Sequence, residues 1–442
     1  MVFIDMVEQQ LDFGNCYYRP SFFHMKIDLP VDFTNLNEIP EGAFGLYLHE
    51  YIHFVQDIST IYGLMNISTI THYIQYCASK IYKDKIPEFE IPIKLQPNTN
   101  AQDYGYSNFQ LRPIYIGSSI KEKSKSISNF SYSLIPYEFE PNRSIDIVKI
   151  QFTDSVTNET RYLEFGGNHV TEGMAYLCEQ YQHKGILPEA DAYPYKLISE
   201  IVKLEYPEIE NEDGLLITIC DASLMSYHPG LSFVRLVKFL KNLKVHESEL
   251  TLIDVYNACL AEIKGGHVDF DTLVENVKSD IKKNFNADYY KDITAWVDTI
   301  FNRIKIFRRE VPTFVHDMVI FGKPRENKFF GAFLKTIGSP IVIDSDFNAT
   351  FAIPQGFNPT SPNFSPAIFW AINQILKVFY KDSLSPCELI PYCTKSKEKD
   401  PNINVDVNCT NSPWLKASEA NLCPFAQIWH HWALKDFAPK YK

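Results

Sequence analysis

The chain has 442 residues, of which 45% are hydrophobic and 14% aromatic, so it can bury a large core and extensive disorder is not expected. Its formal net charge of −12 argues against a broad surface for nucleic acid or anionic membranes, because both require clustered Lys and Arg. The N-terminus lacks the pattern of a signal peptide, no run approaches a membrane span, and nine scattered Cys suggest reduced thiols. We therefore expect a cytoplasmic protein that does not use a membrane or a nucleic acid as partner.

The first elements in chain order are a strand and two helices. Alternation in SFFHMKIDLP (21–30) predicts a strand, and Pro40 then opens a helical pattern that runs to about Gly63. A second helix is predicted at roughly 66–83. Residues 84–143 are rich in Pro, Asn, Ser and Tyr, which is typical of a strand-and-loop insertion.

A hairpin follows, because IDIVKIQF (145–152) and TRYLEF (160–165) are rich in β-formers and flank the turn-type sequence TDSVTNE. A helix is predicted to begin near 170, and 193–320 is mainly helical. Residues 321–365 favour strand and loop, with PIVIDSDFNATFAIP as a second hairpin, and 366–380 predicts a buried helix. These patterns predict an α+β fold with a small mixed or antiparallel sheet. Its regions would be a core at 1–190 with an insertion at 84–165, a helical domain at 191–320 forming the other cleft wall, and a mixed C-terminal region at 321–442.

The helix near residue 50 carries the run GLYLHEYIHFVQDISTIYG, which contains His49, Glu50 and His53. Residues four apart lie on one helix face, so both imidazoles can bind a single Zn²⁺. Glu50 is turned about 100° from His49, so it reaches beside the metal and can take a proton from water there. The alternative is a half-exposed helix on which the two His are incidental.

The helix after the hairpin offers a third ligand, because a catalytic zinc takes three protein ligands and leaves one position open. In VTEGMAYLCEQ, Glu172 is followed by Gly173 and Ala175, which would allow a close approach to the first helix. Glu179 lies two turns beyond Glu172 on the same face, so it could orient a ligand from behind.

The segments HEYIH and TEGMAYLCE together resemble the gluzincin metallopeptidases, the zincin group of thermolysin-like enzymes and zinc aminopeptidases. The resemblance covers about 30 residues in two helices. It implies a zincin-like catalytic core with zinc ligands at His49, His53 and Glu172 and a catalytic base at Glu50. The first segment also resembles the thermolysin-type helix in having Asp57 four residues after the second His.

Two features depart from that family, since 118 residues separate His53 from Glu172 and only about 40 residues precede the first helix. The insertion 84–165 is therefore expected to supply most of the sheet that lines the substrate site. The family resemblance also implies a His or Tyr that stabilises the oxyanion, and Tyr227 with His228 is the candidate pair. A capping or surface role remains the alternative for this pair, and His183 is a rival.

Two other groups of possible ligands are weighed. His169 lies close to Glu172 and could replace it as a ligand, but it is expected in the loop before the helix. Four Cys near the C-terminus lack the tight C-x2-C spacing of structural zinc sites, which favours buried free thiols. A structural metal site is the alternative. The four Cys are Cys387, Cys393, Cys409 and Cys423, with His430 and His431 nearby.

The sequence thus predicts a zinc-dependent peptidase that hydrolyses peptide bonds of a protein or peptide substrate, with a restricted intracellular target. The first alternative is a catalytically inactive zincin-like binding module. The retained Glu50 argues against it, because a purely structural site has no use for a base between its ligands. The second alternative is a helical interaction protein without a metal.

Overall fold

The structure is a computed structural model that describes residues 16–94, 111–120, 122–140, 142–183, 185–186, 189–263, 267–361, 364–381, 383 and 385–441. Helices account for 55% of the chain and strands for 12%, and the strands form small mixed and antiparallel sheets. The predicted α+β class is confirmed.

Two consecutive helices, α1 (Glu41–Ser59) and α2 (Ile61–Asp84), form the centre of the fold. Thr60 separates them and caps α2, because its side chain accepts a hydrogen bond from the backbone N–H of Gly63. A Cβ atom at Gly63 would lie 2.3 Å from the carbonyl oxygen of Asp57, so this sharp junction requires glycine. Both helices were predicted, with boundaries shifted by a few residues.

Helix α1 is buried on nearly every side. Tyr51 and Phe54 are fully buried, and His49 and Glu50 are each only 8% exposed. The reason is that the polar face packs against helix α3 (Gly167–His183). A helix buried all round lies inside the core, so its polar residues need partners there.

The strands form three sheets. The strands are β1 Tyr17–Arg19, β2 His24–Lys26, β3 Glu88–Glu90, β4 Ile127–Glu140, β5 Arg143–Asp154, β6 Thr160–Phe165, β7 Ile341–Ile343, β8 Ala349–Thr350 and β9 Ala438–Lys440. The first sheet has the order β1-β2-β7-β8, in which β1 and β2 are antiparallel, β2 and β7 parallel, and β7 and β8 antiparallel. The second sheet is the antiparallel meander β4-β5-β6, and the third pairs β3 with β9 in parallel. Both predicted hairpins are present, and β4 extends the first one into a three-stranded sheet.

The described residues between 192 and 319 are mainly helical, as predicted. Its helices are α4 Ala192–Tyr195, α5 Leu197–Glu205, α6 Asp213–Leu224, α7 Pro229–Asn242, α8 Leu252–Glu262, α9 His267–Asn284, α10 Lys291–Glu310 and α11 Phe314–Val319. The expectation of strand and loop throughout 321–365 is wrong at helix α12 (Lys328–Ile337), where Asn327 caps the first turn and Phe330, Phe333 and Ile337 make a buried stripe. The predicted buried helix is α13 (Ala367–Tyr380), and α14 Ile390–Lys397, α15 Val407–Asn411 and α16 Pro424–His431 follow.

One cluster of buried apolar side chains joins all these regions, from Tyr18 near the N-terminus to Leu434 near the C-terminus. A buried ion pair fixes the end of α1 within it. The guanidinium of Arg308 donates to both carboxylate oxygens of Asp221 and, through Nε, to the carbonyl oxygen of Ser59 at 2.6 Å. Helix α10 therefore holds the C-terminal end of the helix that carries the candidate metal ligands.

Among the helices in the described part of the chain, none has both the length and the apolar character that a membrane crossing requires.

Candidate metal centre

Helices α1 and α3 bring His49, His53 and Glu172 together. The Nε2 atom of His49 lies 3.4 Å from Oε2 of Glu172, and Nε2 of His53 lies 3.4 Å from Oε1 of the same carboxylate. One potential ligand atom from each residue lies within 4.8 Å of the others, and no other such group of three is found among the described residues. The three residues that the sequence singled out as ligands therefore form one cluster.

The separations in this cluster fit a bound metal better than direct hydrogen bonds. Two atoms that each bind a tetrahedral Zn²⁺ at 2.0–2.1 Å are about 3.3 Å apart. A hydrogen bond between an imidazolium and a carboxylate would instead be about 2.7–2.9 Å long. The observed 3.4 Å separations, each to a different oxygen of Glu172, are longer than such a hydrogen bond and close to the spacing of two zinc ligands, so the cluster could hold a metal ion.

The far side of each imidazole is held by a partner. Nδ1 of His49 donates to Oε2 of Glu179 at 2.9 Å, and Nδ1 of His53 donates to Oε1 of Gln56 at 2.8 Å. Since Nδ1 carries the proton in both rings, each neutral ring presents the Nε2 lone pair to the cluster. This is the second set of contacts that orients metal-binding histidines.

Glu179 lies behind His49, as its position two turns after Glu172 suggested. Gln56 was not identified from the sequence, although it lies three residues after His53 and so shares its helix face. Its side-chain amide also donates to the carbonyl oxygen of Thr171 at 3.0 Å, which ties α1 to α3 beside the cluster.

Asp57, four residues after His53, contacts the N-terminal segment. Its Oδ2 accepts hydrogen bonds from the hydroxyl of Tyr18 at 2.9 Å and from the backbone N–H of Ser21 at 2.6 Å. Burial raises the pKa of Asp57 to about 7, although both hydrogen bonds oppose the shift. The residue therefore anchors the N-terminal segment, including β1, against the helix of the metal centre.

Glu50 lies in the same cleft as the three ligands and is almost fully buried. Burial raises the pKa of its carboxyl, while His49 and His53 act in the opposite direction. A hydrogen bond from the backbone of Tyr18 also stabilises the carboxylate. Glu50 is thus a carboxylate of increased basicity beside the ligands, as a general base requires.

The charges in the cluster depend on one another. Burial opposes protonation of both imidazoles, but Glu172 raises the pKa of His53, and Glu172 with Glu179 raises the pKa of His49. Burial alone would raise the pKa of Glu172, but the two imidazoles outweigh burial and lower it. Without a metal, the site therefore attracts protons onto its histidines.

The cleft around the cluster has a volume of about 250 Å³. Its walls include Tyr195, whose ring centre lies 6.0 Å from that of His49, and Lys123, whose Nζ lies 5.7 Å from the centre of the Tyr195 ring. Burial and, after it, the charges of Glu172 and Glu50 raise the pKa of Tyr195, so its hydroxyl keeps its proton. Tyr195 was not identified from the sequence. It lies 23 residues after Glu172, in a helix of only four residues.

The candidate pair Tyr227 and His228 lies elsewhere, and neither residue is among those that line the cleft. Tyr227 is 43% exposed, and Nε2 of His228 donates to the carbonyl oxygen of Asp146 in β5 at 3.1 Å. Gly230, in the first turn of α7, packs against the backbone of Phe165. This close approach holds His228 at the β5-β6 sheet. The structure therefore favours the alternative that the sequence left open, a role for this pair outside the cleft.

The two remaining His candidates also lie outside the cluster. His183 is buried at the end of α3, with Nδ1 3.7 Å from the carboxylate of Glu41. His169 lies in the first turn of α3, not in the preceding loop, and its Nδ1 accepts a hydrogen bond from the backbone of Gly166. Neither ring lines the cleft.

The wall opposite α1 differs from the expected one. Cys16, Tyr18 and Pro20 line the cleft, so the strand beside it is β1 near the N-terminus, and the sheet formed by the insertion 84–165 does not supply that strand. The insertion contributes Ile120 and Lys123. From 191–320, the expected second wall, only Pro194 and Tyr195 line the cleft among the described residues.

The C-terminal Cys do not join a metal cluster in the described part of the chain. All nine Cys are free thiols, and burial raises the pKa of Cys387, Cys393 and Cys423. Cys387 and Cys409 are buried, and Cys393 and Cys423 are partly exposed.

Comparison of the chain with protein-family models, with curated proteins and with solved structures found no match.

Proposed function

We propose that the chain is a cytoplasmic zinc-dependent peptidase that acts on a restricted protein or peptide substrate. The observation that carries the proposal is the arrangement of two imidazole Nε2 atoms, each 3.4 Å from Glu172, beside the buried carboxylate of Glu50. Reduced thiols at all nine Cys agree with the cytoplasm.

His49, His53 and Glu172 would hold the zinc, and three protein ligands leave a position for water or substrate. When bound, zinc polarises a carbonyl group and lowers the pKa of water to about 7. Glu50 accepts the proton of the attacking water and delivers it to the leaving amine. Its increased basicity follows from burial, and the backbone of Tyr18 keeps its carboxylate in place.

Tyr195 is the side chain that best fits oxyanion stabilisation. Its ring lies at the cleft beside His49, and its raised pKa keeps the hydroxyl protonated, so it can donate to the carbonyl oxygen as charge develops there. Such a donor acts in the transition state and is worth about 10²–10³ in kcat.

The inactive binding module is the alternative function. A site that only holds a metal needs the three ligands and their orienting partners. It does not need a second buried carboxylate beside them, because burying that carboxylate costs free energy. His49, His53 and Glu172 already supply the three ligands, so Glu50 is not needed to hold the metal. Its presence in the cleft therefore favours catalysis.

The experiment compares the cellular N-termini produced with wild type and with Glu50→Gln, followed by turnover of the identified peptide by purified protein. Glu208→Gln, which alters an exposed carboxylate far along the chain from the cluster, serves as the control. Cleavage that requires Glu50 and zinc supports the peptidase. Wild-type protein that binds zinc and produces no new N-terminus in any extract would favour the binding module.

A further inference from the structure

The metal cleft carries its charges unevenly. Among the described residues that line it, Lys123 is the only Lys or Arg. The acidic side chains that line it are Glu50, Asp57 and Glu172. Apart from a bound metal, the cleft therefore attracts a negatively charged group of a substrate at one place, beside Lys123.

The backbone next to Lys123 is joined to the segment that carries Tyr195. The N–H of Ser124 donates to the carbonyl oxygen of Tyr193 at 3.3 Å, and the N–H of Tyr193 donates to the carbonyl oxygen of Ser124 at 3.1 Å. These two hydrogen bonds form an antiparallel bridge, so Lys123 and Pro194 lie next to each other beside it. Both residues line the cleft, and the bridge fixes where the lysine side chain begins.

The ammonium group of Lys123 is close to the metal centre. Its Nζ lies 5.7 Å from the centre of the Tyr195 ring, and the ring centre of His49 lies 6.0 Å from the same point. The cation is thus separated from a candidate metal ligand by one aromatic ring. Because consecutive Cα atoms of a peptide are about 3.8 Å apart, a residue that adjoins the scissile bond can place a carboxylate in this region.

Lys123 is also available for a substrate. Its side chain is exposed, and no carboxylate among the described residues forms an ion pair with it. Neighbouring cations differ in this respect, since Arg161 pairs with Glu122. Lys196, the residue after Tyr195, likewise has a carboxylate partner within the chain. The contact with the Tyr195 ring is weak at an exposed site, so it leaves the ammonium free to bind an anion.

We propose that Lys123 determines specificity by forming an ion pair with a carboxylate on the substrate residue that adjoins the scissile bond. This inference rests on the proposed function, because it requires a metal and a peptide in the cleft. The carboxylate belongs either to an Asp or Glu side chain or to the C-terminus of the substrate. Lys123 takes no part in proton transfer.

The probes are three hydroxamates with one succinyl frame, whose hydroxamate group binds zinc in place of the scissile group. The first is neutral and ends in an amide. The second ends in a carboxylate and represents a substrate C-terminus. The third ends in an amide and carries a carboxyethyl branch, which represents a Glu side chain. Calorimetric titration of the zinc-loaded chain gives a Kd for each probe, and the ratio of the neutral Kd to each acidic Kd isolates the effect of the charge.

Lys123→Met removes the charge and keeps the length of the side chain, and Lys123→Arg restores the charge. Lys125→Met is the matched control, because Lys125 is an exposed lysine of the same segment that does not line the cleft. We expect a ratio of about 5 or more for one acidic probe with wild type, Lys123→Arg and Lys125→Met. With Lys123→Met the ratio should be near one. The acidic probe that gives the higher ratio identifies the source of the carboxylate.

Ratios near one for wild type, with the neutral probe bound, overturn the role of Lys123 and leave the metal centre intact. A high ratio that persists in Lys123→Met overturns it as well, because another group would then bind the carboxylate. If the protein takes up no zinc, or if no hydroxamate binds the zinc-loaded protein, the proposed function fails and this inference fails with it.

Discussion

The contact between His49 and Glu179 makes a quantitative prediction for metal affinity. The Nδ1–Oε2 distance is 2.9 Å, and the two side chains are only 11% and 12% exposed. A hydrogen bond to a charged group in such surroundings contributes about 1.5–3 kcal/mol. Loss of an orienting carboxylate typically weakens metal binding 10- to 100-fold, which corresponds to about 1.4–2.7 kcal/mol.

The two estimates overlap, so the size of the effect should depend on what replaces the carboxylate. Glu179→Gln keeps an oxygen that can accept from His49 and loses the charge, so zinc affinity should fall about 10-fold. Glu179→Ala loses both and should approach 100-fold. At a fixed zinc concentration near saturation, each tenfold loss also removes about 1.4 kcal/mol of the stabilisation that zinc gives the folded state.

Competition with a chromophoric zinc chelator at neutral pH measures these affinities. Glu41→Gln is the matched control, because Glu41 also lies beside a histidine, His183, at 3.7 Å, outside the metal cluster. Its zinc affinity should equal that of wild type. If Glu179→Ala binds zinc within about twofold of wild type, the orienting contact does not determine the affinity and the reasoning fails.

Four further predictions concern the same cleft. Glu50→Gln should retain zinc and lower turnover of an identified peptide by about 10²–10⁴-fold, measured as kcat beside metal content. Tyr195→Phe should lower kcat by about 10²–10³ with zinc content unchanged, and equal kcat would exclude Tyr195 as the oxyanion donor. Glu172 raises the pKa of both imidazoles, and Glu179 also raises that of His49. Protons therefore compete with the metal for these rings. The zinc Kd should therefore increase as pH falls through those raised values, which a chelator titration at several pH values checks. Asp57, with a pKa raised to about 7 by burial, contributes stability that is complete below its unfolded pKa of about 3.9 and is lost as pH rises to 7. Asp57→Asn should remove that loss, which urea unfolding at pH 5 and 8 would reveal as a smaller pH dependence.

The sequence predicted those parts of the site that lie at fixed spacing within one helix. His49 and His53 are four residues apart on α1, and Glu172 and Glu179 are seven apart on α3, so helical geometry alone places each pair on one face. That the two faces meet was inferred from the family resemblance, and the structure shows them 3.4 Å apart. Gln56 was within reach of the same rule and was overlooked.

The residues that the sequence did not reveal depend on contacts between distant segments. Tyr195 reaches the cleft because α4 packs against α3, and β1 lines it because Tyr18 binds Asp57 across 39 positions of the chain. A strand of three residues carries too little alternation to be recognised, and no local pattern distinguishes Tyr195 from Tyr227. Tertiary packing determines which of the two tyrosines reaches the cleft.

The balance of buried charge explains why a metal suits this arrangement. Glu50, Glu172 and Glu179 are three carboxylates packed around two imidazoles, and no Lys or Arg among the described residues forms an ion pair with them. Uncompensated buried charge is costly. Protons on both histidines would neutralise two of the three charges, and the raised pKa values show that the site draws them in.

A dication neutralises the same two charges and leaves both histidines neutral, with Nδ1 donating to Glu179 and Gln56 as observed. One negative charge would then remain, and Glu50 is the carboxylate that neither belongs to the ligand group nor accepts a hydrogen bond from a ligand histidine. Without Glu50, the charges of a purely structural metal centre would balance. The carboxylate whose charge is not neutralised, Glu50, is therefore the group that can accept a proton. The charges that stabilise a bound metal thus also leave a base beside it.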